Sequence, residues 1–470
     1  MKTRTVRTRP PVGRARRVPD GFEGTEEIER VYDEIDLHRA IDAYRFFYPT
    51  VSAAAIFEGN GEVGLRPNKV FGTLDTQPRH VGFTLNSDTP YAPILLDLKD
   101  GPMVIDLPPG PLIAVAMDLN QRWVADMGLA GPDGGNGGKH LLVPPDYREK
   151  APAEHFCARS TTNRVLVGVR SLPLRGDVQR AIDRMLMIGV CPLTPTPDWT
   201  EPRWLKLTEP PQDTTPNAWE NNLQYWEVLH EVVDSEPLYE GYRQAYGQLA
   251  ALGIEKGKPF APNAHMKRIL EQAARIGNSQ MRVESFADRR PDRVVWPDRQ
   301  WEWAALRFED GNFNANGFAD VVARDKWFFQ AIGSSPAMFR RSAGSGSLYW
   351  LAVRDSAGEY LDGGRRYTLT VPLPVPARLF WSVTVYDART RSQIATTQGK
   401  AALRSLFEVK DAPGPAIDLH FGPAPSGRGG DGRWIRTIPD VGWFAYFRLY
   451  GPEPAAFDGT WRLGDFDEAK

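Results

Sequence analysis

Four polar side chains that could take part in acid–base chemistry stand between residues 86 and 91. They are Asn86, Asp88, Thr89 and Tyr91. The carboxylate of Asp88 could act as a base or bind a cation, Tyr91 could donate a proton, and the other two could bind a ligand through hydrogen bonds. Apolar residues on both sides predict flanking strands. Functional side chains are often displayed between strands, but Asn and Asp also close turns, so both interpretations stay open.

A second polar group follows the nearly all-apolar run from Leu112 to Met117. Asp118 comes directly after that run, and Arg122 lies four residues further on. If Asp118 lies at the same rim as Asp88, the two carboxylates could share acid and base roles, because proximity separates their pKa values. The alternative is that Asp118 only pairs with Arg122. The candidate catalytic residues are therefore Asp88, Tyr91 and Asp118, and the candidate ligand-binding residues are Asn86, Thr89, Arg122 and Trp123.

Cofactor motifs are incomplete in this chain. A divalent cation could bind to the carboxylates, but no residue can be assigned as a metal ligand. His230 and Asp234 stand where a zinc-protease helix would carry two histidines, and no third ligand follows at a suitable spacing. The Gly-rich stretch 131–138 lacks the Lys-Ser/Thr ending of a phosphate-binding loop, and no dinucleotide fingerprint opens a helix there. We therefore expect neither a nucleotide nor a flavin.

Composition places the chain among ordinary globular proteins. Of its 470 residues, 41% are hydrophobic and 25% are charged, and the net charge of −2 argues against a protein that binds nucleic acid. Residues 1–17 are basic and are not followed by an apolar segment, which argues against a secretory signal, and no apolar run is long enough to span a membrane. We expect a soluble cytoplasmic protein with a small-molecule ligand and no membrane partner.

The periodicity of apolar residues predicts a mainly β protein with helical segments. The expected parts are a disordered basic tail at 1–24, helices at 25–70, a β-sandwich at 71–190, a Pro-rich linker at 191–215, a helical insert at 216–330 and a β domain at 331–470. In the insert, Trp219, Leu223 and Trp226 should face inward. Trp296, Trp301 and Trp303 could form core, a ligand surface or a homo-oligomer interface, and packing against a sandwich is the favoured interpretation.

Asp387 ends an apolar run from Phe380 to Tyr386, much as Asp118 ends its own run. Arg389 and Arg391 follow within four residues. We expect the carboxylate of Asp387 to accept hydrogen bonds from the backbone or from an arginine, and so to hold the turn that leaves the sheet.

Several longer sequence stretches resemble a known pair of bacterial domains. Residues 72–91 (GTLDTQPRHVGFTLNSDTPY) resemble the signature of domain of unknown function 1254, and residues 380–387 (FWSVTVYD), 448–452 (RLYGP) and 459–461 (GTW) resemble domain of unknown function 1214. The resemblance covers nearly the whole chain after the tail. It implies an immunoglobulin-like sandwich, a helical insert and a jelly-roll-like sandwich, in that order, with no established chemistry. Relatives commonly carry Asn-Trp where this chain has Arg433-Trp434.

Two classes of function fit these observations. The first is a hydrolase or lyase that acts on a small organic molecule, through carboxylate and tyrosine side chains, in a cleft between the β modules. The second is a non-catalytic ligand-binding or assembly protein built from two sandwiches. An enzyme of the first class needs Asp88, Tyr91 and Asp118 to converge on one pocket.

Overall fold

The computed structural model of the chain describes residues 21–78, 80–207, 212–213, 217–307, 311–339, 341–344, 346–410, 413–425 and 432–469. Residues 1–20 of the predicted basic tail lie outside these ranges.

The chain begins with one long helix, α1 (Thr25–Glu62), which continues through Pro49. The sequence pattern predicts an interruption there, because a proline has no N–H to donate to the carbonyl four residues earlier. That carbonyl belongs to Arg45, and it accepts a hydrogen bond of 3.4 Å from Nη1 of Arg324. A donor from another helix thus replaces the one that Pro49 lacks.

The first β module follows α1. It comprises β1 (Val70–Thr73), β2 (His80–Val81), β3 (Tyr91–Asp97), β4 (Met103–Leu107), β5 (Leu112–Asp118), β6 (Trp123–Gly128), β7 (Gly138–Val143), β8 (His155–Arg159), β9 (Arg164–Ser171), α2 (Val178–Met185) and β10 (Gly189–Pro192). Two four-stranded sheets, ordered β10-β4-β7-β8 and β3-β9-β5-β6, enclose its core.

The second of these sheets has two different faces, because successive side chains of a strand point in opposite directions. On β9, Val165, Val167 and Val169 enter the sandwich core, whereas Leu166 and Arg170 lie on the outer face. The outer face is covered by α1 and by the C-terminal module, and it forms one wall of a cavity between them.

The Pro-rich segment predicted as a linker contributes strands to the fold. β11 (Arg203–Lys206) pairs in parallel with β1, and β12 (Gln212–Asp213) pairs in parallel with β2. Its prolines obscure the apolar periodicity, but two-stranded pairing at an edge needs only a few backbone groups. Residues 208–211 and 214–216 lie outside the described part of the chain.

The insert is mainly helical. It contains α3 (Gln224–Ser235), α4 (Arg243–Ala251), α5 (Ala264–Phe286), β13 (Glu302–Trp303), β14 (Asn314–Ala315), β15 (Phe318–Ala319), α6 (Val321–Gln330) and α7 (Pro336–Phe339). Trp219 and Trp226 are buried, as expected, and Leu223 is half-buried against the same core. The indole of Trp226 donates to the carbonyl of Leu270 at 2.8 Å, which joins α3 to α5.

The last module is a second sandwich. Its strands are β16 (Ser347–Ala352), β17 (Tyr367–Pro372), β18 (Ala377–Asp387), β19 (Ala402–Arg404), β20 (Ala416–Gly422), β21 (Trp434–Arg436), β22 (Trp443–Pro452) and β23 (Phe466–Glu468). They form sheets ordered β13-β16-β22-β18-β19 and β21-β20-β17-β23. Trp296 and Trp301 belong to the core between these sheets, and Trp303 packs against it, so the favoured packing interpretation of the three tryptophans is correct. The prediction of a mainly β fold with helical segments is confirmed.

One sheet of this sandwich also has two unlike faces. On β22, Phe447 and Leu449 point into the sandwich core, whereas Tyr446, Arg448 and Tyr450 point to the other side. All ten residues of the strand are buried, because Phe444 and Tyr446 pack against the helices and Arg448 and Tyr450 contact the first module.

Candidate functional site

Residues 82–91, which we call the docking loop, are attached to the C-terminal module through hydrogen bonds to the backbone of the loop. The carbonyls of Thr84, Leu85 and Ser87 all accept hydrogen bonds from that module. Their donors are Arg448 Nη2 at 2.9 Å, Tyr386 Oη at 2.8 Å and Arg404 Nη1 at 2.6 Å, respectively. The N–H of Thr84 donates to the carbonyl of Arg391 at 2.8 Å. Thr84 has a φ of 45°, an unfavourable value for a β-branched residue, so these bonds hold a conformation that the loop would not adopt alone.

Asp88 is the buried centre of this attachment. Its Oδ2 accepts hydrogen bonds from the hydroxyl of Ser382 at 2.8 Å and from that of Tyr450 at 3.0 Å. Its Oδ1 is buried and has no hydrogen-bond partner among the described residues. Burial raises the pKa of Asp88, and the positive charge of Arg448 opposes that rise. Asp88 therefore joins the two modules directly.

The other polar residues of the loop bind one another. Asn86 Oδ1 accepts from the backbone N–H groups of Asp88 and Thr89, at 2.8 and 3.0 Å, and from the Thr89 hydroxyl at 3.2 Å. The amide of Asn86 donates to Oη of Tyr91 at 2.6 Å, and its backbone N–H approaches the same oxygen at 3.3 Å. Because this oxygen accepts both bonds, the phenol proton of Tyr91 is available for a further acceptor. Burial raises the pKa of Tyr91, which keeps the phenol protonated.

A cavity of about 160 Å³ lies where the docking loop, the outer face of the β3-β9-β5-β6 sheet and the polar face of β22 meet. Its lining is mainly apolar, with a few polar groups. The apolar lining includes Ile56, Leu74, Phe83, Val115, Met117, Leu166, Trp327, Ile332 and Met338, and the polar lining includes Asn86, Tyr91, Arg170, Tyr349, Tyr446 and Arg448. Small-molecule sites typically combine an apolar lining with a few placed polar groups.

The two arginines come from different modules. Arg448 is 3% exposed, and its guanidinium carbon lies 4.9 Å from the ring centroid of Tyr446 and 5.5 Å from that of Tyr349. Its Nη2 is bonded to the docking loop, but its Nη1 is buried and lacks a hydrogen-bond partner within the described ranges. Arg170 is half-buried and interacts with the phenol of Tyr349. Both can offer N–H donors to a bound acceptor.

A second cavity, of about 280 Å³, adjoins the first. Val115, Gly168, Arg170 and Met338 line both spaces. Arg378, which is exposed, lies on the wall of the second cavity. These four residues form the boundary between the two cavities. We call the first cavity, which the docking loop lines, the inner chamber.

The structure contradicts the expectation that Asp118 converges with Asp88 and Tyr91. In the β3-β9-β5-β6 sheet, Tyr91 is paired with Arg170, whereas Asp118 is paired with Val165, five residues away on the same strand. Five residues of a strand span about 17 Å. Asp118 also lies on the opposite face of β5 from Met117, which lines the cavity.

Among the described residues, the hydrogen bonds of the Asp118 carboxylate stay within the first module. Oδ1 accepts from the backbone N–H groups of Asn120 and Arg122, both at 2.9 Å, and Oδ2 accepts from the hydroxyl of Thr161. Burial raises its pKa to about 6. Asp118 thus closes the turn between β5 and β6 through the backbone of Arg122, and the alternative of a pair with the Arg122 side chain is not what its described hydrogen bonds show.

Arg122 and Trp123 do not line the cavity either. The guanidinium of Arg122 lies 4.1 Å from the ring centroid of Tyr239, and Trp123 is 38% exposed. Of the seven candidate residues, Asn86 and Tyr91 line the cavity, while Asp88 and Thr89 support the loop behind it.

Sequence reasoning missed Arg170, Tyr349, Tyr446 and Arg448. A usable signal exists for Arg448, which stands in the middle of an otherwise apolar and aromatic run from Trp443 to Tyr450. A charged residue in a wholly buried strand needs a partner or a function. Arg170 ends a strand of the first module, where an arginine is unremarkable.

Within the described ranges, no group of three or more His, Cys, Asp or Glu side chains is arranged to hold a metal ion. Across those same residues, no helix combines the length and apolar character that crossing a bilayer requires.

One solved structure supports the fold. The chain is similar to the VPA0106 protein from Vibrio parahaemolyticus, with 19% identity and a TM-score of 0.58 over 93% of this chain and all of that one. An uncharacterised protein from Burkholderia cenocepacia gives a TM-score of 0.40 at 10% identity, over 94% of this chain and 96% of that one. No curated protein matches the chain. Two family models, each described as a protein of unknown function, match separate segments. The model of DUF1254 matches residues 70–185 and that of DUF1214 matches residues 346–454, which confirms the resemblance predicted from the sequence.

Proposed function

We propose that this protein binds a small organic molecule in the cavity between its two β modules. The observation that carries this proposal is an apolar chamber, at a domain interface, into which a few buried polar groups converge. A cavity of about 150 Å³ with an apolar lining holds a molecule the size of benzene. The inner chamber has a similar volume, about 160 Å³.

Binding is better supported than paired-carboxylate catalysis. That mechanism needs two carboxylates at one site, but Asp118 belongs to a separate turn, and Asp88 is held by Ser382 and Tyr450 behind the cavity wall. The docking loop acts in this proposal as a structural wall of the chamber.

A cavity-filling variant tests the proposal. Gly168 lines both cavities, and a Cβ added there would meet only Val115, at 4.0 Å. We expect Gly168→Leu to fold and to lose binding of benzene-sized compounds, measured by isothermal titration calorimetry.

Gly247→Leu is the matched control, because Gly247 is exposed on α4 and a Cβ there meets no neighbour among the described atoms. It should bind as the wild type does. Unchanged binding in a folded Gly168→Leu protein would move the site elsewhere and contradict the proposal.

A hydrolase or lyase is the second candidate, and one observation favours it. Tyr91 lines the cavity with a phenol whose oxygen already accepts hydrogen bonds from Asn86, so its proton can be donated to a bound substrate. An activity screen over carboxylic, phosphate and sulfate esters tests this candidate. Turnover that is lost in Tyr91→Phe, with binding retained, would support it, and equal turnover in both proteins would contradict it.

A further inference from the structure

The residues that line the inner chamber carry positive charges that no acidic lining residue balances. Among its described lining residues, Arg170 and Arg448 are basic and none is acidic. The two arginines come from strands of different modules, so the chamber acquires both only when the modules are joined. A low-dielectric space lined by two guanidinium groups favours a negatively charged occupant.

Arg448 has unused binding capacity in this space. It is 3% exposed, and only its Nη2 is bonded to the docking loop, whereas Nη1 is buried without a partner among the described atoms. Leaving a buried N–H donor without an acceptor costs free energy, and a charged donor costs more. A ligand oxygen at Nη1 would remove that cost.

The neighbouring acid does not balance both arginines. Asp88 acts electrostatically on Arg448, and its Oδ2 is bonded to Ser382 and Tyr450, whereas its Oδ1 has no partner among the described residues. The phenols of Tyr91, Tyr349 and Tyr450 also act on Arg170, and burial keeps those of Tyr91 and Tyr450 neutral. The adjoining cavity adds the carboxylate of Asp126 and the exposed guanidinium of Arg378. Around the two cavities, three guanidinium groups therefore face two carboxylates, which leaves a single positive charge for an occupant to match.

We propose that the occupant is a small organic monoanion, with a carboxylate on an apolar body about the size of benzene. Arg448 and Arg170 bind the carboxylate, and Ile56, Met117 and Trp327 contact the body. This inference rests on the proposed binding function and adds the chemical class of the ligand.

Matched pairs of probes separate charge from shape. Benzoate and benzamide have nearly the same size, as do hexanoate and hexanamide, but only the first member of each pair is charged. We expect the wild type to bind each carboxylate about tenfold more tightly than its amide, because only the carboxylate carries a negative charge that attracts the guanidinium groups in a low-dielectric space. Calorimetric titrations at fixed ionic strength give the four Kd values.

Variants assign the preference to the arginines. Arg448→Met and Arg170→Met should each reduce the preference for the carboxylate to about threefold or less. Near-UV circular dichroism will show whether Arg448→Met folds. If it does not, Arg448→Lys takes its place, because this variant retains the charge and should keep part of the preference for the carboxylate.

Arg404→Met is the matched control. Arg404 binds the carbonyl of Ser87 at 2.6 Å, as Arg448 binds that of Thr84, but Arg404 does not line the chamber. This variant should lower the melting temperature and preserve the preference for the carboxylate.

The outcomes distinguish the two proposals. If the amides bind as tightly as the carboxylates and Gly168→Leu abolishes both, the binding function stands and the anionic class is overturned. If no probe binds, both proposals are overturned. If Arg404→Met loses the preference as fully as Arg448→Met, the preference reflects attachment of the docking loop, and the role given to Arg448 is wrong.

Discussion

Asp88 and Asp118 are two buried carboxylates beside strands of the same sheet, yet they serve different parts of the molecule. Asp118 is bonded to Asn120, Arg122 and Thr161, all within its own module. Asp88 is bonded to Ser382 and Tyr450, both in the other module. Burial raises the pKa of both groups, so burial and pKa alone do not distinguish a turn-closing acid from one that joins modules at a cavity.

The difference lies in the distance of the partners along the chain. A local partner such as the backbone N–H of Asn120 is present wherever the turn forms, and the one distant partner of Asp118, Thr161, belongs to the same module. Asp88 depends on two strands that come hundreds of residues later. Changes at Asp88 should therefore affect module docking and the cavity, whereas changes at Asp118 should affect only the first module.

The largest expected effect is that of Asp88→Ala. It removes two hydrogen bonds, leaves the hydroxyls of Ser382 and Tyr450 buried without an acceptor, and leaves Arg448 without its acidic neighbour. We expect a loss of about 3–5 kcal/mol in the free energy of unfolding, together with loss of ligand binding. Urea unfolding and calorimetry measure both. A loss below about 0.5 kcal/mol, the size seen at ordinary surface sites, would contradict the role of Asp88 in joining the two modules.

The next effect concerns the pH dependence of stability at Asp118. Its pKa is raised from 3.8 to about 6, so the folded state binds the proton more tightly than the unfolded state does. The contribution of this group is therefore most favourable below pH 4 and is lost as pH rises through 6. Relative to Asp118→Asn, the free energy of unfolding of the wild type should fall by up to about 3 kcal/mol between pH 4 and pH 7.

Urea unfolding of the two proteins across this range measures that difference. Other acids titrate in the same window, including Asp325, whose pKa is also raised to about 6, so only the difference between wild type and variant reports on Asp118. Parallel curves for the two proteins would contradict the prediction. Ligand binding should be the same in both, in contrast with Asp88→Ala.

The smallest effect is expected at Asp387, which belongs with Asp118 in this comparison. Its carboxylate accepts from the backbone N–H of Arg389 at 2.8 Å and from the guanidinium of the same residue at 2.8 and 3.1 Å. Because the Arg389 side chain is 66% exposed, solvent screens the ion pair. Asp387→Asn should lower the free energy of unfolding by about 1 kcal/mol and leave binding unchanged. Lost binding with normal stability would instead assign Asp387 to the site.

Local relations were predictable from the sequence, and distant ones were not. The turn at Asp387 and the strand after the docking loop, β3, follow from neighbouring residues, and so were predicted. The strand expected before the loop was wrong, because β2 ends at Val81 and the apolar residues Phe83 and Leu85 belong to the loop. The chamber combines Tyr91 and Arg170 with Arg448, and periodicity within one strand carries no information about which strands of another module it will face. The same limit applies to Pro49, whose place in a continuous helix depends on Arg324.

The conformation of Thr84 has a consequence for the order of assembly during synthesis. The ribosome delivers the first module before the strands that hold the docking loop, and the partners that hold Thr84 among the described residues all belong to the later module. The part of the outer face that α1 does not cover therefore faces water until the last sandwich has been made. The nascent chain should depend on chaperones most during that interval, and the cavity between the modules can form only after it.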